Sequence, residues 1–146
     1  VATIKRSALV THSAAAMYGL VNNVSGYPEF MDGCTGVEVF EQTDATMLAR
    51  LDLKKAGVRL SFMTRNYLVA PSSIEMTLED GPFKQFKGLW EFTPLTDKAC
   101  KVSLDLEFEF SNKGLGLAAS NLFAGVANNL VDSLCKRADQ LFTENG

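Results

Sequence analysis

Cys100-Lys101-Val102-Ser103-Leu104-Asp105-Leu106-Glu107-Phe108-Glu109-Phe110 alternates apolar and polar residues without a break. A period of two puts Cys100, Val102, Leu104, Leu106, Phe108 and Phe110 on one face of a strand, and Lys101, Ser103, Asp105, Glu107 and Glu109 on the other. One face buried and one wet is the mark of an antiparallel sheet. Upstream of it, shorter alternating runs separated by turn residues predict strands at 35–43, 46–56, 58–69, 72–79 and 83–94. The turns fall near Asp44-Ala45, Gly57, Pro71-Ser72, Asp80-Gly81-Pro82 and Thr96-Asp97. Further back, Ala2 to Val10 reads as a first strand, with Ile4 and Ala8 opposite Lys5 and Ser7. Ser13 is placed to cap a helix that runs to about Asn22. Ser25-Gly26-Tyr27-Pro28 interrupts it. Pro28 then fits the first turn of a very short second helix carrying Phe30 and Met31, closed by Asp32-Gly33.

Downstream, Asn112 to Leu117 is a connection with Gly114 and Gly116, followed by a long helix to about Phe142. Leu122, Val126, Leu130, Leu134, Ala138 and Leu141 recur at three- and four-residue steps, and Phe123, Ala127 and Val131 widen the stripe. About 25 helical residues span nearly 40 Å, enough to cross a whole sheet. The predicted fold is α+β: a curved seven-stranded antiparallel sheet wrapped on the C-terminal helix, with two short helices after the first strand. One domain is expected over residues 1–146. One helix cannot fill every part of a curled sheet, so the default site is a cavity between the two.

Composition narrows the function. Of 146 residues, 47% are hydrophobic and 21% charged, ordinary for a folded chain. The net charge of -3 argues against binding nucleic acid by bulk positive charge, and no DNA partner is expected. A single histidine excludes sites built from several, and three scattered cysteines without CxxC spacing disfavour a zinc site or disulfide framework. No metal site and no tightly held cofactor is expected. No stretch approaches the roughly 18 unbroken apolar residues of a spanning helix, and the first ten residues lack the apolar run of a signal peptide. The expectation is a cytoplasmic protein with at most peripheral contact at the inner membrane. His12 is expected near a helix cap at the surface, and no third group is available to orient it beside Ser13.

Several segments resemble one family. Tyr27-Pro28-Glu29-Phe30 with Cys34, Asp80-Gly81-Pro82-Phe83-Lys84 through Gly88-Leu89-Trp90-Glu91-Phe92, the alternating Val102 to Phe110, and Lys136-Arg137-Ala138 with Leu141-Phe142 occur in its order. The chain is similar to the START-like, helix-grip proteins of the coenzyme Q-binding and polyketide-cyclase-like group, and within it to the bacterial ribosome association toxins of the RatA type. It departs from the pattern at Met31-Asp32-Gly33, where the family often carries Pro-Trp.

The resemblance implies two activities of different class. The first, ranked ahead here, is non-enzymatic binding of ubiquinone or a similar isoprenoid lipid under the long helix, in support of respiration. The second is association with the large ribosomal subunit, which blocks subunit joining and inhibits translation. A polyketide cyclase or aromatase activity ranks lowest, because the predicted inward faces offer few polar groups.

The expected cavity residues are Tyr18, Tyr27, Phe30, Leu60, Phe62, Thr64, Asn66, Phe86, Trp90, Phe92, Phe108, Leu122, Val126 and Leu130. Tyr18, Thr64 and Asn66 would meet a polar head group, Gly88 would leave room beside Trp90, and ordinary core is the competing account of each. The densest basic run, Arg50, Lys54, Lys55, Arg59 and Arg65, is a candidate patch for ribosomal RNA or anionic head groups. A solvated sheet face, balanced by the acidic strand 105–109, is the favoured account of it. Phe30, Phe62, Phe86, Phe92, Phe108 and Phe123, drawn from ten phenylalanines, are expected to converge between sheet and helix.

Overall fold

The computed structural model describes residues 1–111 and 116–142. The predicted connection through Gly114 falls partly on 112–115, outside the described residues. Strand β1 (Ala2–Val10) is followed by helix α1 (Ala14–Asn22) and a 3-10 turn (Val24–Glu29). Strands β2 (Cys34–Gln42), β3 (Thr46–Lys55), β4 (Val58–Val69), β5 (Ser73–Asp80), β6 (Phe83–Thr96) and β7 (Ala99–Phe110) follow, and then helix α2 (Leu117–Phe142). The strands form one antiparallel sheet in the order β1-β7-β6-β5-β4-β3-β2. β1 crosses the helical insertion to pair with β7, setting Ile4 opposite Leu106 and Ala8 opposite Val102.

The alternation in β7 decides its faces as expected. Cys100, Val102, Leu104, Leu106 and Phe108 are buried, whereas Lys101, Asp105 and Glu107 are exposed. Ser13 caps α1, its Oγ accepting from the Ala16 amide at 3.1 Å. At the β3–β4 turn both Ala56 (φ 52°) and Gly57 (φ 81°) adopt left-handed backbone, which matches the strand twist and closes the hairpin in two residues.

Three local expectations are corrected. Ser25 to Pro28, read as an interruption, lies inside the 3-10 turn, and Phe30 and Met31 lie beyond it. Pro28 is the fifth of the turn's six residues; it donates no amide there, yet the turn still closes, with the Phe30 and Met31 amides donating to the Tyr27 carbonyl at 3.2 and 2.8 Å. His12 is buried rather than on the surface: its Nε2 lies 2.8 Å from Asp139 Oδ1 on α2, and Phe142 packs edge-on against the ring at 5.5 Å. The apolar stripe of α2 is also rotated. Phe123, Ala127, Val131, Leu134 and Ala138 are its most buried line, Val126 and Leu130 lie half-buried at its edge, and Leu141 is exposed. Steps of four, four, three and four stay on one face of a 3.6-residue helix, whereas a repeated step of four drifts around it.

Candidate functional site

Under α2 the interior divides into an aromatic cluster, a small cavity and a second aromatic group. In the cluster the Phe123 ring stands edge-on to Phe62 (5.6 Å), Phe83 (5.0 Å), Phe108 (4.8 Å) and Phe110 (5.8 Å), with Phe86 at 6.1 Å. Edge-to-face packing of this kind adds to the stabilisation from burial. Two of the six phenylalanines expected to converge are elsewhere. Phe92 stacks on Trp90 and meets Tyr18 at 5.7 Å. Phe30 meets Tyr27 edge-on at 5.9 Å and lies under the Arg137 guanidinium at 5.4 Å. Phe83 joins the cluster because a register shift between Phe83 and Gln85 lets Phe83 and Phe86 both face inward, against simple alternation.

The cavity has a volume of about 70 Å³. Its walls are mostly apolar: Phe62, Ile74, Met76, Phe86, Trp90, Leu104 and Leu106 from the sheet, and Phe123, Val126, Ala127 and Leu130 from α2. Val21, Asn22, Val24, Tyr27 and Met31 close it from the side. Of the expected residues it brings together Tyr27, Phe62, Thr64, Asn66, Phe86, Trp90, Val126 and Leu130. Tyr18, Phe30, Leu60, Phe92, Phe108 and Leu122 do not line it. Leu60 and Phe108 are ordinary core, Tyr18 and Phe92 belong to the Trp90 group, and Leu122 lines an outer groove between α2 and Asp32. Residues that sequence reasoning missed include Asn22, Val24, Met31 and Met76. Of these, Met76 sits at an inward position of a predicted strand, the one signal that could have found it. Gly88 leaves no free space either. A Cβ there would lie 2.5 Å from Met76 Cε and 3.1 Å from Leu106 Cδ1, so neighbouring side chains already occupy the gap.

The polar groups of the cavity are few. Thr64 Oγ1 donates to Asn66 Oδ1 at 2.9 Å, both side chains being buried. Asn22 Oδ1 is buried without a hydrogen-bond partner among the described residues, a costly state for an amide oxygen. The Tyr27 hydroxyl donates to the Val21 carbonyl, and burial pushes its phenol well above the ordinary value. Tyr27 is the one titratable residue in the wall, so the cavity holds no group poised to exchange protons near neutral pH. No cluster of three or more His, Cys, Asp or Glu able to hold a metal ion occurs among the described residues. Gly33 (φ 91°) presses the Met31–Gly33 loop against α2, where an added Cβ would come within 2.8 Å of Val126 Cγ2.

Of the basic run, Arg50, Lys54, Arg59 and Arg65 lie on the outer face of β3 and β4, whereas Lys55 has the opposite parity and lines the groove beside α2; the five are not equivalent. Arg50 reaches Glu38 at 3.2 Å and Asp52 at 3.1 Å. Arg65 lies between Glu79 at 3.3 Å and Glu41 at 3.6 Å, and both carboxylates hold its guanidinium charge on. Lys55 pairs with Asp32 at 2.7 Å. Lys54 and Arg59, directly opposite each other across the hairpin, have no carboxylate within ion-pair distance among the described residues. The acidic strand does not balance this run as expected. β7 is separated from β4 by β6 and β5, and its acids face Lys5 and Lys87 in register and reach Lys84.

This architecture is the helix-grip one, a curved antiparallel sheet closed by a long C-terminal helix over an apolar interior. Residues 10–135 match the family described as polyketide cyclase / dehydrase and lipid transport, and the chain belongs to it. Within it, the chain is 49% identical to the ribosome association toxin RatA of Vibrio cholerae serotype O1, over 97% of this chain and 98% of that protein. It is 27% identical to the mitochondrial coenzyme Q-binding protein COQ10 of Drosophila melanogaster, over 93% of this chain and 54% of that one. Among solved structures, the Zhui aromatase/cyclase from Streptomyces superposes with a TM-score of 0.79 at 19% identity, over 95% of this chain and 94% of that one. That likeness extends to the fold alone. No helix among the described residues is long and apolar enough to cross a membrane.

Proposed function

We propose that this protein associates with the large ribosomal subunit and blocks its joining to the small subunit, lowering translation by surface contact rather than by catalysis. It would work in the cytoplasm, where the ribosomes are. The observation that carries this is the 49% identity to a ribosome association toxin along almost the whole of both chains. The interior supports it. A cavity of about 70 Å³ holds a few water molecules and falls well below the roughly 300 Å³ at which small-molecule pockets begin. The order of the two readings from sequence is therefore reversed. The test is sedimentation of the purified protein with isolated subunits. It should travel with the large subunit and not the small one; protein that stays at the top of the gradient with both would overturn the proposal.

A second reading keeps the cavity in use, favoured by the unpartnered Asn22 Oδ1 in an apolar wall. A hydrophobic molecule carrying a hydroxyl would satisfy it. Quinol fits this acceptor better than quinone, whose carbonyls only accept. An isoprenoid tail would need Met31 and Val126 to move apart. Binding of added ubiquinol would quench Trp90, and fluorescence unchanged up to the solubility limit would rule this ligand out.

A further inference from the structure

Resting on the ribosome reading, we infer that the tip of the β3–β4 hairpin, with Lys54 and Arg59 at its centre, is the contact for the phosphodiester backbone of ribosomal RNA. Neither of these two cations is ion-paired with a carboxylate among the described residues. They stand directly opposite each other across the strands, and like charges in that position repel. Elsewhere on the sheet the pattern is the reverse: Lys5 stands opposite Asp105 and Lys87 opposite Glu107. Arg50, Arg65 and Lys55 are tied to carboxylates, which leaves Lys54 and Arg59 as the cations of the run with charge to spare.

The surroundings suit an anion. Lys54 and Arg59 border an open depression of about 510 Å³ lined also by Thr35, Asp52, Leu53 and Ser61. Asp52 is the one acid in it. Its Oδ1 is already engaged by Arg50 Nε at 3.1 Å and by the Ser61 hydroxyl at 2.7 Å, so its charge is partly met by Arg50. A guanidinium offers a planar fork that matches phosphate oxygens, and an ammonium adds a compact charge beside it. The two-residue turn fixes their spacing, and it does so with an alanine at φ 52°, a conformation that side chains disfavour. An external anion would relieve the repulsion between the two cations.

The experiment compares K54Q/R59Q with K98Q/K101Q in co-sedimentation with purified large subunits over a range of salt. Lys98 lies in the β6–β7 turn and Lys101 at the start of β7, at the opposite end of the sheet, and both double variants remove two positive charges. K54Q/R59Q should lose binding, with the slope of log affinity against log salt falling by about one for each cation removed. K98Q/K101Q should bind like the unaltered protein. Thermal unfolding checks the fold, and K54Q/R59Q should be at least as stable as the parent because a repulsion is gone. If the parent binds and K54Q/R59Q binds equally well, or if both double variants weaken alike, the hairpin contact is wrong while ribosome association stands. If the parent itself does not bind, the ribosome reading fails and the contact with it.

Discussion

Strand β4 has two faces with opposite fates. Inward, Leu60, Phe62, Thr64, Asn66 and Leu68 are all buried, and each is committed to the core or to the small cavity. Outward, Arg59, Ser61 and Tyr67 are exposed, and Arg59 stands opposite a second cation with no carboxylate within ion-pair distance among the described residues. The inner face carries stability and has little space left for a ligand. The outer face contributes little to stability and keeps its charge available. In a fold family described by lipid transport and cyclisation, activity is first sought inside; here the side chains direct attention to the outside.

The two faces of β4 should differ most at the residue that packs on the inner one, Phe123. If the inner face is structural, Phe123→Ala, which removes the hub of the phenylalanine cluster, should cost about 3–5 kcal/mol, measured by denaturant unfolding. A loss below about 1 kcal/mol would mean that the interior is loose enough to admit a large ligand. Gly33→Ala should come next, at about 1–3 kcal/mol, because it combines a left-handed backbone with a contact to Val126; the same unfolding curves measure it. Thr64→Val should cost about 1–2 kcal/mol by leaving Asn66 Oδ1 without its buried donor. On the outer face, Arg65→Ala should fall within about 1 kcal/mol of the parent, since half-exposed ion pairs contribute little.

The smallest effect concerns Cys135. Burial first, then the nearby Asp132 and Asp139, push its thiol up to about 11 from an ordinary 9. The folded chain thus holds this proton where the unfolded chain releases it. The associated stability is present below pH 9 and is lost as pH rises from 9 through 11. Alkaline unfolding of Cys135→Ser should be correspondingly less steep, and alkylation of Cys135 at pH 8 should be slow against a free thiol.

The fold was legible in the sequence because its signals are local. The alternation in β7, the Ser13 cap and the turn residues each act over a few positions, and the strands begin and end within about two residues of where those signals place them. The site was half legible. Parity along a strand tells which way Trp90, Phe62 or Thr64 points, but not whether the space opposite is filled. That depends on the rotation of α2 and on Val21 to Met31, a stretch with no strong period whose Asn22, Val24 and Met31 close the cavity. The basic run was visible as composition. Which of its members are neutralised depends on Glu38, Glu41 and Glu79, brought beside them by strand pairing.

A protein that keeps ribosomal subunits apart, as proposed, acts on a step that can be followed directly. Light scattering of purified small and large subunits after a rise in magnesium follows their joining directly. Added at a modest excess over large subunits, the protein should lower the final amplitude, and K54Q/R59Q should restore most of it. An amplitude unchanged by the parent protein, under conditions where the subunits join fully on their own, would show that it does not block their joining.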